Sequence, residues 1–152
     1  MTTMYAGGCQ CGAVRFRTAQ VLDNTHVCHC RMCQKASGGM FMAYVGVPLA
    51  SLKWTKGLPA SWSSSQGVQR GFCSQCGTNM FYLRDGRSHI WLTLGSFDER
   101  DDFRLRFEWG TESRLSQIAE LGQVRQHKSE EDPIACDIAA QTNRQHPDAI
   151  GG

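Results

Sequence analysis

The chain has 152 residues, 41% of them apolar and 20% charged, with a formal net charge of +2. Such a length suits one domain with a buried core rather than two, and so small a charge speaks against a nucleic-acid or anionic-membrane partner. The opening residues Met1 to Gly8 lack the basic and apolar regions of a secretory signal, and no apolar run approaches the roughly 18 residues of a membrane span, so a cytoplasmic protein is expected.

Taken in order, the β-prone runs are Ala13 to Arg17, Phe41 to Val45, Leu52 to Trp54, Gly67 to Phe72, Met80 to Leu83 and Ile90 to Leu94, each rich in aromatic or β-branched residues. Ser61 to Ser65 reads as a strand or a loop. Clusters of Gly, Ser, Asp and Pro separate the runs, and Asp85-Gly86 signals a hairpin. The fold class predicted is mostly β, in small antiparallel sheets with few short helices. One turn of helix is expected after Cys33, through Lys35 and Ala36. A second helix has Asp132 as N-cap, Pro133 as first helical residue and an end near Gln141. The division expected is a zinc-binding β domain over 1–125 and a polar C-terminal tail over 126–152 carrying that second helix. The last dozen residues are too polar to offset their ordering entropy and are expected to be mobile.

Eight cysteines in a chain expected to stay in the cytoplasm point to metal binding rather than disulfides. Seven fall into three clusters: Cys9-Gln10-Cys11, Cys28-His29-Cys30-Arg31-Met32-Cys33 and Cys73-Ser74-Gln75-Cys76-Gly77. A Cys-x-x-Cys turn lets two thiolates reach one tetrahedral zinc, and Gly77 permits the tight turn that follows. Two ligands each from the first and third clusters make a closed site of Cys9, Cys11, Cys73 and Cys76. Cys28, Cys30 and Cys33 then remain as a three-thiolate site with an open position, the arrangement of a catalytic zinc. The alternative is a second closed site completed by His26 or His29, although the middle residue of Cys-x-Cys tends to point away from its neighbours. Cys136 stands apart and is left out of the site.

At these residues the sequence resembles the glutathione-dependent formaldehyde-activating enzyme family, which includes the centromere protein V-like proteins. The motifs, in order, are Gly8-Cys9-Gln10-Cys11-Gly12 running on to Phe16, Cys28 through Gln34, Arg70-Gly71-Phe72-Cys73-Ser74-Gln75-Cys76-Gly77-Thr78, and Leu94-Gly95-Ser96-Phe97-Asp98. The resemblance covers about residues 5–125. It implies a zinc-binding β fold, a structural zinc on the first and third clusters, and a catalytic zinc on Cys28, Cys30 and Cys33. It also implies carbon-sulfur lyase activity, the founding reaction being reversible addition of a thiol to formaldehyde. Where many relatives carry a His before a Gly-x-Glu-Ser stretch and a Pro-Trp after it, this chain has Glu108 ahead of Gly110-Thr111-Glu112-Ser113, then Ser116-Gln117.

Three thiolates on Zn²⁺ carry a formal charge of −1 and suit a soft sulfur as fourth ligand, so a small thiol such as glutathione, or its adduct with an aldehyde, is the expected substrate. A fourth thiolate calls for nearby cations, for which Arg31, Lys35 and Arg70 are the candidates. No spacing selects a general acid or base among Glu108, Glu112, His26 and His29. Trp54, Trp62, Trp91, Trp109, Phe41, Phe72 and Phe81 read as core before pocket. Rival functions are a zinc-held binding module without chemistry and a redox-sensitive zinc site.

Overall fold

The computed structural model describes residues 3–148. Among these residues ten strands form two sheets. The smaller has the order β1-β2-β5, from β1 (Tyr5–Gly8), β2 (Arg15–Thr18) and β5 (Leu52–Lys56). The larger comprises β3 (His26–Cys28), β4 (Met42–Pro48), β6 (Ala60–Ser65), β7 (Val68–Phe72), β8 (Asn79–Arg84), β9 (His89–Thr93) and β10 (Phe107–Trp109). Its seven strands lie in the order β10-β3-β4-β9-β8-β7-β6. Two helices accompany them, α1 (Arg31–Ser37) and α2 (Pro133–Thr142), with several single 3₁₀ turns.

The mostly β reading of the sequence is what the chain adopts, and each β-prone run lies on a strand. The pairings are antiparallel except that β10 runs parallel to β3. The turn at Asp85-Gly86 joins β8 to β9 as a hairpin. The helix expected to begin at Pro133 does so.

Strand β4 explains why the core has two parts. Side chains alternate across a strand. Val45 and Val47 therefore face one way and join Ile90 and Leu92 of β9, Phe16 of β2, and Phe97 in the main core beneath the three-stranded sheet. Met42 and Tyr44 face the other way, with Cys28, Cys33, Tyr82 and Trp91, in a second cluster. A strand apolar on both faces must be covered on both, and β4 is buried over five of its seven residues. Inside the main core Phe16 stands edge-on to Trp54 and Phe97, at 5.9 and 5.0 Å between ring centres.

The tail, expected to be mobile in its last dozen residues, makes two contacts with the body of the chain. His146 donates its backbone N–H to the carbonyl of Gln10, inside the first cysteine cluster, at 2.6 Å, and Asp148 pairs with Arg100 at 2.7 Å. Residues 149–152, which that expectation also covered, lie outside the described residues.

Candidate metal centres

The first and third clusters meet. Cys9 and Cys11 follow β1, and Cys73 and Cys76 follow β7, so each pair sits on a turn at a strand end. These turns close locally: Gly12 N–H donates to Cys9 O (3.0 Å), and Gly77 N–H donates to Cys73 O (2.8 Å). Gly77 has φ of 76°, a left-handed backbone that a side chain would strain. The four sulfurs lie within 4.8 Å of one another. Cys9 and Cys11 are 3.6 Å apart, and Cys11 and Cys73 are 3.9 Å apart. Sulfurs at about 2.3 Å from a tetrahedral ion stand about 3.8 Å from each other, so the donor set fits such an ion. Val14 N–H also donates to Cys9 Sγ at 3.2 Å, which disperses charge from a thiolate.

The middle cluster is built by the junction of β3 with α1. Cys28 ends β3, Cys30 is the N-cap residue of α1, and Cys33 lies three residues further, on the same side of the first turn. Their sulfurs also lie within 4.8 Å of one another. Gln34 fixes the junction by donating both amide hydrogens, to His29 O at 2.8 Å and to Ser113 O at 2.9 Å. His29 N–H donates to Trp109 O at 2.8 Å, bringing β10 alongside. Gly110 closes that side: its φ is 68°, and a Cβ there would stand 2.9 Å from the Cys30 backbone nitrogen.

Neither histidine joins this group. His29, 1% exposed, has its ring edge-on to Phe41 and Nε2 at 3.8 Å from Glu108 Oε2. His26 is walled by aromatics, stacked on Phe107 at 4.5 Å and edge-on to Trp91 at 4.6 Å. Burial holds its basicity below that of an ordinary histidine. Among the described residues the middle cluster therefore offers three donors, all sulfur.

Of the three candidate cations, Arg70 is the one at the cluster. Arg31 turns to the side-chain oxygen of Gln34, and Lys35 lies exposed on α1. Arg70, 4% exposed on β7, donates from Nη2 to Cys33 Sγ at 3.4 Å and from Nη1 to the Tyr44 hydroxyl at 2.9 Å. That hydroxyl is itself 3.7 Å from Cys33 Sγ. A hydrogen bond from Cys28, with Arg70 and Tyr44 adding to it against burial, brings the Cys33 thiol down to about 5 in the metal-free chain. Its partner Cys28 is pushed up by that same hydrogen bond and by burial. Burial, with the charge on Cys33, pushes the Tyr44 phenol up and keeps it protonated.

The aromatic residues divide. Trp54 and Phe81 pack the main core, whereas Trp91 belongs to the cysteine-bearing face and Trp62 and Trp109 are exposed. Tyr44 and Tyr82 are neighbours of the centre that the sequence did not single out. The signal was present in period two, because Met42 and Tyr44 share a strand face.

With this geometry in place, comparison with known proteins is direct. Residues 4–113 match the model of the glutathione-dependent formaldehyde-activating enzyme family. The chain belongs to that family. Membership ties it, at family level, to glutathione-dependent formaldehyde chemistry. In three dimensions it is similar to the crystal structure of a Rhodobacter sphaeroides protein, with a TM-score of 0.55 and 18% identity. That likeness covers 67% of this chain and 98% of the other, and supports the fold. Among the described residues no helix is long and apolar enough to cross a membrane.

Proposed function

We propose that the protein is a zinc-dependent enzyme of the carbon-sulfur lyase kind, acting on adducts of glutathione or another small thiol with an aldehyde. The observation that carries this reading is the all-sulfur, three-donor group Cys28, Cys30 and Cys33, joined by neither neighbouring histidine. Two zinc ions per chain fit the donors: one enclosed by Cys9, Cys11, Cys73 and Cys76 as a structural staple, one held by the three-cysteine group. Zinc bound to three thiolates supplies a soft Lewis acid with a position for a substrate sulfur.

The chain's own residues do the rest. Cys28, Cys30 and Cys33 hold the ion at the strand-helix junction, and Gln34 keeps that junction in register. Met42, Tyr82 and Trp91 line the apolar side and limit water around the reacting sulfur. In the forward direction a thiol adds to an aldehyde: the sulfur-carbon bond forms, the carbonyl π pair moves to oxygen, and the thiol proton ends on that oxygen. The reverse direction releases thiol and aldehyde.

The test is zinc content per chain by elemental mass spectrometry, before and after mild chelation, with and without glutathione. The expected result is two zincs, one of them removed by the chelator and protected by the thiol. Cys30→Ser should lose that labile zinc and the glutathione-dependent turnover of formaldehyde while keeping its circular dichroism. One tightly held zinc, indifferent to thiols, would overturn the enzyme reading and leave a zinc-held binding module.

A further inference from the structure

Arg70 is anomalous among the buried groups. A buried guanidinium costs several kcal/mol unless an anion accompanies it. Arg15, the other well-covered arginine near a cysteine turn, meets this demand by pairing both its terminal nitrogens with the carboxylate of Asp98. Among the described residues Arg70 pairs with no carboxylate. Its partners are Cys33 Sγ, the Tyr44 hydroxyl, Ser64 Oγ at 3.2 Å, and the face of the Tyr82 ring at 5.2 Å. All but the first are neutral, so the one anion available to this cation is the sulfur cluster.

We propose that Arg70 is a positioning residue that makes the open position of the Cys28–Cys30–Cys33 centre select an anionic sulfur ligand over a neutral nitrogen or oxygen one. The proposal rests on reading that group as a zinc centre. Three thiolates on a divalent ion leave −1, which Arg70 brings to zero. An incoming thiolate then takes the assembly to −1 instead of −2, whereas a neutral ligand leaves the charge where it was. The cation therefore favours the thiolate selectively, at short range and in a region where burial weakens solvent screening. The guanidinium is held for this purpose: Tyr44, Ser64 and the Tyr82 face fix three sides of it and leave Nη2 on Cys33.

The experiment uses the full chain loaded with Co²⁺, whose visible and sulfur-to-metal charge-transfer bands report the fourth ligand. Wild type, Arg70→Gln and Arg70→Lys are each titrated with glutathione, with 2-mercaptoethanol and with imidazole. Loss of a charge-assisted hydrogen bond should weaken thiol binding about tenfold or more in Arg70→Gln, while imidazole binding changes less than about threefold. Arg70→Lys, which keeps a point charge without the planar fork, should fall between. Equal weakening of both ligand types, or no change in either, would overturn the proposal, because a merely structural arginine would not alter the ratio. Should Arg70→Gln not fold, Tyr44→Phe with Arg70→Lys decides the matter. Tyr44→Phe frees the guanidinium without removing its charge and should cut the thiol-to-imidazole preference several-fold; an unchanged ratio in both variants would refute the role. A wild-type spectrum that does not respond to thiols would instead overturn the zinc-enzyme reading, and this one with it.

Discussion

Cysteine reactivity in this chain is set by where each sulfur sits, and the eighth thiol shows the contrast. Cys136 is exposed on α2, while the seven clustered cysteines are buried or half-buried. With metal bound to both groups, a limiting amount of iodoacetamide should label Cys136 first, and peptide mapping should find the label there and not on residues 9–76. Labelling of Cys30 or Cys76 ahead of Cys136 would mean that the clusters do not hold metal as proposed. At this scale the sequence was most informative where ligand and partner are close along the chain. Which sulfurs share a short turn could be read from spacing, while joining the first cluster to the third rested on counting ligands, two from each. Arg70, one of three cations the sequence offered for the middle cluster, lies three residues before Cys73 yet meets Cys33, and the fold rather than sequence distance is what selected it over Arg31 and Lys35. Tyr44, Ser64 and Tyr82 escaped for the same reason, each lying on a different strand.

Among the elements, the junction of β3, α1 and β10 carries the most consequence for its size. Gln34 bridges two carbonyls, that of His29 five residues before it and that of Ser113 79 residues after it. Gln34→Leu leaves both acceptors without this donor in a buried setting and should destabilise the fold by about 2 kcal/mol, read as a lowered urea midpoint with an unchanged slope. It should also loosen the labile metal, raising its loss to a chelator. An unaltered midpoint would show that solvent replaces the amide without cost. Strands β2, β4, β5, β7, β8 and β9 were legible because alternation and branched or aromatic residues are local signals. Strand β10 was not: Phe107-Glu108-Trp109 is three exposed residues long, and its parallel pairing with β3 is decided by the fold around it. Glu108 falls on this strand, its carboxylate standing between His29 and Arg114, at 3.8 and 3.4 Å.

For the molecule as a whole, the two cysteine groups differ in how far along the chain they reach. Cys11 and Cys73 are 62 positions apart, so an ion held there closes a long loop and removes about 4 kcal/mol of unfolded-state freedom on the model used for disulfides. Cys73→Ser should therefore unfold the protein or lower its melting temperature steeply in calorimetry, whereas Cys33→Ser, whose cluster spans six residues, should leave the melting temperature within a few degrees. Similar losses from both variants would remove the distinction between staple and working site. The same geometry carries an order in time. The three sulfurs of the middle group have all been emitted once Cys33 has cleared the exit tunnel, whereas the other group must wait for Cys76. If both groups take metal as proposed, a nascent chain could meet its first ion on those three sulfurs before the clasping ion can be held, at a stage when Arg70, Trp109 and Ser113, which complete their surroundings, have yet to emerge.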